Sequence, residues 1–146
     1  MGGIKQILPI CFRIGGTTMT TEQTRTTIAI HAGKTENFFA GYCYALRYGF
    51  SDLQSIIQRF DEMMYCLQTL YETAYPIHTD RVLLAELQEM VYSSILYCNR
   101  QCADARVVGV FAEVLSETLL SILEGTENPF SAFADYKENY DDILQS

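Results

Sequence analysis

Apolar residues recur at steps of three and four along most of this chain, and the clearest run lies near its middle. Leu53, Ile56, Ile57, Phe60, Met63, Met64, Leu67, Leu70, Tyr71 and Ala74 follow one face. Gln54, Ser55, Gln58, Arg59, Asp61, Glu62, Gln68 and Glu72 take the other. This spacing predicts an amphipathic helix, with Ser51 and Gln54 at capping-box spacing and Pro76 at its end.

The same period predicts neighbouring helices. One is expected over 35–48, capped by Thr35 and closed by Gly49, with Phe38, Phe39, Tyr42, Cys43 and Leu46 inward. Another runs from a Thr79 or Asp80 cap to about Gln101, with Leu83, Leu87, Met90, Val91, Ser94, Tyr97 and Cys98 as its inner face. After a bend near Cys102–Asp104, a further helix reaches Glu124 and stops at Gly125. Its apolar surface is wide: Val107, Val108, Phe111, Val114, Leu115, Thr118, Leu119, Ile122 and Leu123. Asn128-Pro129 restarts the chain into a last helix over about 129–144, bearing Phe130, Phe133, Tyr136, Tyr140 and Ile143.

Residues 1–34 read differently. The β-branched stretch 24–31 predicts a short strand, with 4–14 as its antiparallel partner across Gly15-Gly16. The fold expected is therefore all-α: an up-down antiparallel bundle of four to five helices over 35–146, preceded by an extended or short β N-terminal arm over 1–34. Residues 1–18 carry Lys5 and Arg13 and no acid. They fit an ordinary arm, a short presequence, or translated codons ahead of a natural start at Met19, in which case Gly15-Gly16 hides a bacterial or phage ribosome-binding sequence. Gln6 departs from a myristoylation motif.

With 146 residues, 49% hydrophobic, the chain has enough apolar mass for a core without metal or disulfides. Ten basic and 18 acidic residues give a net charge of −8. That balance opposes direct gripping of nucleic-acid phosphates or of anionic lipid. No apolar run reaches the length of a membrane span. Cys11, Cys43, Cys66, Cys98 and Cys102 sit mostly in apolar stripes, which suggests small buried thiols in a reduced, cytoplasmic setting.

Catalytic patterns are absent from the sequence. Gly33-Lys34-Thr35 is the tail of a phosphate-binding loop, but Ile28 stands where that motif needs its first glycine. Cys98 and Cys102 share a face if the helix continues, yet two thiolates do not complete a zinc site. His31 and His78 lie near element ends and read as surface or capping residues. Neither has a glutamate three residues before it, so Glu86/Glu89, Glu113/Glu117 and Asp141/Asp142 read as solvated faces rather than a di-iron site. No cofactor and no metal are expected.

Ten tyrosines and no tryptophan suit helix edges and interfaces. From Glu113 to Asp142 there are eight acids against one base, Lys137. Acids in a last turn oppose the helix dipole, so something other than helix stability favours them. These features suggest a non-enzymatic protein–protein interaction module, a small regulator, adaptor or assembly subunit. Its expected surface comprises Glu113, Glu117, Glu124, Asp135, Tyr136, Glu138, Tyr140, Asp141 and Asp142. The expected partner is another protein with a basic surface, or a second copy in a homodimer. Two other classes fit the same residues: an acidic phage or mobile-element inhibitor of a nucleic-acid-binding protein, and a helical-bundle enzyme or apolar-ligand binder without a recognisable motif.

Overall fold

The structure, a computed structural model, describes residues 13–14, 17–48, 52–100 and 102–145. Its regular elements are helical apart from a two-residue antiparallel ladder, in which Arg13 faces Thr18 and Ile14 faces Thr17. The chain divides into two compact units, Met1–Pro76 and Ile77–Ser146.

In the first unit, α1 spans Thr21–His31, a 3-10 turn spans Phe38–Ala40, α2 spans Tyr42–Tyr48 and α3 spans Leu53–Glu72. α1 packs on α3, and α2 packs on both. The expected strand over 24–31 is thus a helix. Its cause is local: Thr20 and Gln23 close a reciprocal capping box, the Gln23 amide donating to Thr20 Oγ1 at 3.1 Å and the Thr20 amide to Gln23 Oε1 at 2.8 Å. The threonines that looked strand-like are absorbed by hydrogen bonds to the preceding turn, Thr24 to the Thr20 carbonyl and Thr27 to the Gln23 carbonyl. Burial of Thr24, Ile28 and His31 on one face then fixes the helix against the core.

The helix expected over 35–48 also changes form. Gly41 interrupts it with an extended backbone, and only 42–48 is α-helical. Gly41 is buried against the end of α1: a Cβ there would stand 2.8 Å from His31 Cα and closer still to the Ile30 carbonyl oxygen. The chain crosses α1 at this point because Gly41 has no side chain. One result is that Phe38 and Phe39, expected inward, are exposed. The Gly49 and Ser51 ends lie outside the described residues. Asp52, rather than Ser51, caps α3, accepting from the Ser55 amide at 2.8 Å.

α3 buries Ile56, Ile57, Phe60, Met63, Met64, Leu67 and Leu70, as its spacing requires, each contributing about 1.5–3 kcal/mol of burial. It ends at Glu72, so Tyr71 and Ala74 are exposed. Ala74 has φ +64°, the left-handed residue after the Thr73 cap, with the Tyr75 amide donating to the Leu70 carbonyl. Asp61, expected on the polar face, is buried. Cys66 is disulfide-bonded, whereas Cys43, Cys98 and Cys102 form no disulfide. Cys98 is half-buried and Cys102 exposed, which departs from the expectation that most of the thiols are buried.

In the second unit, a 3-10 turn at Ile77–Thr79 leads into α4 (Arg81–Cys98), followed by α5 (Ala105–Glu124), α6 (Ser131–Glu138) and α7 (Tyr140–Gln145). Asp80 caps α4 by accepting from the Leu83 amide. Gly125, at φ +73°, closes α5. α4 and α5 form a hairpin through Leu83, Leu87, Met90, Val91, Val107, Val108, Phe111 and Leu115, all buried. α6 lies on α5, its Tyr136 ring edge-on to Phe111 at 5.6 Å. The last helix is two pieces: Asn139 breaks it, its amide and its side chain both donating to the Asp135 carbonyl.

Candidate interaction surface

The two units differ sharply in charge. Six bases and six acids fall in Met1–Pro76, but four bases and twelve acids in Ile77–Ser146. The whole net charge of −8 therefore belongs to the second unit.

On α5 the buried row of Val107, Phe111, Val114, Leu115, Thr118 and Ile122 fixes which side faces out. The outward side carries Glu113, Ser116, Glu117, Leu120, Leu123 and Glu124. Leu120 and Leu123 are 54% and 57% exposed, so two leucines stand in water among three carboxylates. Leu123, expected to be covered, is not. Glu113 and Glu117 are four apart and repel each other, and Glu124 in the last turn opposes the helix dipole. This face is organised against the stability of its own helix.

The other four acids expected on the interaction surface lie on α6 and α7. Asp135, Glu138, Asp141 and Asp142 are exposed and Tyr140 is half-buried. Tyr136 is 3% exposed, stacked with Phe133 at 5.9 Å, and so belongs to the core rather than to the surface. Lys137 reaches over the Tyr140 ring at 4.9 Å. Because Asn139 restarts the helix, Asp141 and Asp142 occupy the first turn of α7, where the dipole favours acids. The dipole argument holds for Glu124 and Glu138 and is reversed for these two.

α4 adds residues that its sequence period did not single out. Val82, Tyr92, Ile95 and Leu96 are exposed, while Glu86, expected in water, is buried. The available signal was that α4 is apolar on more than one face, which a single stripe does not require.

His31 is no surface residue. It is 1% exposed at the end of α1. The Tyr42 amide donates to its Nδ1 at 3.1 Å, so Nδ1 bears no proton and Nε2 does. Nε2 then donates to Glu62 Oε1 at 2.8 Å. Arg59, one turn earlier on α3, donates to the carbonyls of Gly41 at 2.8 Å and Phe39 at 3.1 Å. Both ring nitrogens are engaged in tying α1, α2 and α3 together. Beside them, Gly33 and Lys34 satisfy the end of α1, their amides donating to Ile30 and Ala29, which gives the Gly33-Lys34-Thr35 sequence a helix-terminating role.

Cys98 ends α4, so it and Cys102 do not share a continuous helix face. Among the described residues no group of three or more His, Cys, Asp or Glu is placed to hold a metal ion. Burial, a hydrogen bond to the Cys102 side chain and the nearby Cys102 and Asp104 charges push the Tyr97 hydroxyl up to about 12, with Arg100 opposing. Burial, then the Asp61 carboxylate, raises Tyr65.

Among the described residues no helix is long and apolar enough to cross a membrane. Comparison with protein-family models, curated proteins and solved structures finds no match.

Proposed function

We propose that this chain is a non-enzymatic protein–protein interaction module whose long helices run up and down as a bundle, and that it engages its partner through the outward face of α5. The observation that carries this reading is the pair of exposed leucines, Leu120 and Leu123, set among Glu113, Glu117 and Glu124. Exposed apolar area ringed by one sign of charge suits a partner with an apolar centre and a basic rim. The carboxylates of α6 and α7 extend the same sign.

A synthetic amphipathic peptide of leucine and lysine serves as a probe of that chemistry. Binding to the full chain, followed by fluorescence anisotropy, is expected to weaken as salt rises and to be lost in a Glu113→Gln, Glu117→Gln, Glu124→Gln variant. Equal binding by wild type and variant would refute the role of this face.

The concentration of all net charge in one unit favours a second reading, an acidic inhibitor that occupies the basic groove of a nucleic-acid-binding protein. That reading requires competition with duplex DNA for a basic DNA-binding domain, and no dependence on Leu120 or Leu123.

A further inference from the structure

The connection between α4 and α5 holds two free thiols four residues apart. Cys98 is the last residue of α4, half-buried, with its Sγ donating to the Ala105 carbonyl at 3.6 Å. Cys102 lies in the turn that follows and is exposed. Its amide donates to the Arg100 carbonyl, and its own carbonyl accepts from the Ala105 amide, which folds the turn back on the end of α4. Ala105 thus joins the Cys98 side chain to the Cys102 main chain: its carbonyl accepts from Cys98 Sγ and its amide donates to the Cys102 carbonyl. Burial first, then the neighbouring Cys102, raises the Cys98 thiol, so the two groups sense one another. Of the other described cysteines, Cys43 is buried and Cys66 is already oxidised.

We propose that Cys98 and Cys102 form a modification site, a surface dithiol that closes to an intrachain disulfide on meeting a disulfide oxidant of the glutathione class. The exposed Cys102 reacts first: it gives up its proton, its thiolate attacks one sulfur of oxidised glutathione, and one glutathione leaves. Cys98 then gives up its proton, attacks Cys102 Sγ and expels the second glutathione. Two S–H bonds are lost, one S–S bond forms, and oxidised glutathione becomes two reduced molecules. The product pins the end of α4 to its turn.

The test treats the folded full chain with oxidised glutathione, alkylates the remaining thiols and maps peptides by mass spectrometry without reduction. A linked Cys98–Cys102 peptide carrying no glutathione is the expected result. Cys98→Ser should instead keep a stable glutathione adduct on Cys102. The closing step should quicken by about tenfold per pH unit while Cys98 remains mostly protonated, because the thiolate is the nucleophile. Wild-type protein that retains the glutathione adduct, leaves Cys98 and Cys102 alkylated, or links Cys102 to Cys66 would overturn the proposal.

Discussion

Replacing His31 should be among the most damaging single changes in the first unit. His31→Ala removes the acceptor of the buried Tyr42 amide and the donor to Glu62. A buried amide left without a partner costs about 1–3 kcal/mol. The void left by the imidazole adds a cost at the low end of the roughly 2–5 kcal/mol seen for large-to-small core changes. The expected loss is about 3–5 kcal/mol. His31→Asn sets an amide oxygen near the position of Nδ1 and should recover about half of that, since the amide keeps a partner. Glu62→Gln keeps an acceptor and sheds only the charge, at a side chain 20% exposed, and should cost about 0.5–1 kcal/mol. The chain has no tryptophan, so urea unfolding is followed by far-ultraviolet circular dichroism. Exchange of the Tyr42 amide gives the local readout. A His31→Ala loss below about 1 kcal/mol, or Tyr42 exchange as slow as in the wild type, would refute the argument.

Three further outcomes follow from single residues. Gly41→Ala forces the backbone away from the Ile30 carbonyl and His31, and should cost about 3 kcal/mol or more by urea unfolding, since the obstacle is main chain and cannot swing aside. Ala74→Gly relieves an exposed left-handed residue; after Gly's greater unfolded-state entropy is subtracted, a gain of about 0.5 kcal/mol is expected in the same assay. The Tyr97 pKa is raised from 10.0 to about 12, so its contribution is complete below pH 10.0 and is lost as pH rises towards about 12, where the unfolded chain releases that proton first. Tyr97→Phe should flatten that part of the stability curve, and tyrosinate absorbance should show one late-titrating group fewer.

The three long helices were legible because each is a continuous amphipathic period. α3 and α5 bury nearly the stripes that their spacing marks, Asp80 starts α4 and Gly125 stops α5 where their chemistry directs. What escaped depends on contacts that no periodicity encodes. α1 hides behind β-branched residues, although Thr20 and Gln23 stand three apart as a capping box requires. Gly41 reads as a tolerable helix glycine until the end of α1 crosses it. His31 looks terminal and is a tie between three helices, because its two partners lie 11 and 31 residues away. For the interaction surface, the glutamates of α5 were visible as charge, but the exposure of Leu120 and Leu123 was not. Their side of the helix is decided by how many neighbours α5 acquires.

The same leucines have a consequence for how copies of the chain treat each other in solution. At low salt every copy brings a like-charged shell to the approach, so two α5 faces are held apart before their leucines meet. Added salt shortens the screening length from about 10 Å at 0.1 M to about 3 Å at 1 M. Self-association through Leu120 and Leu123 is then expected to grow with ionic strength while attachment of a basic partner fades, and sedimentation at two salt concentrations separates these opposite trends.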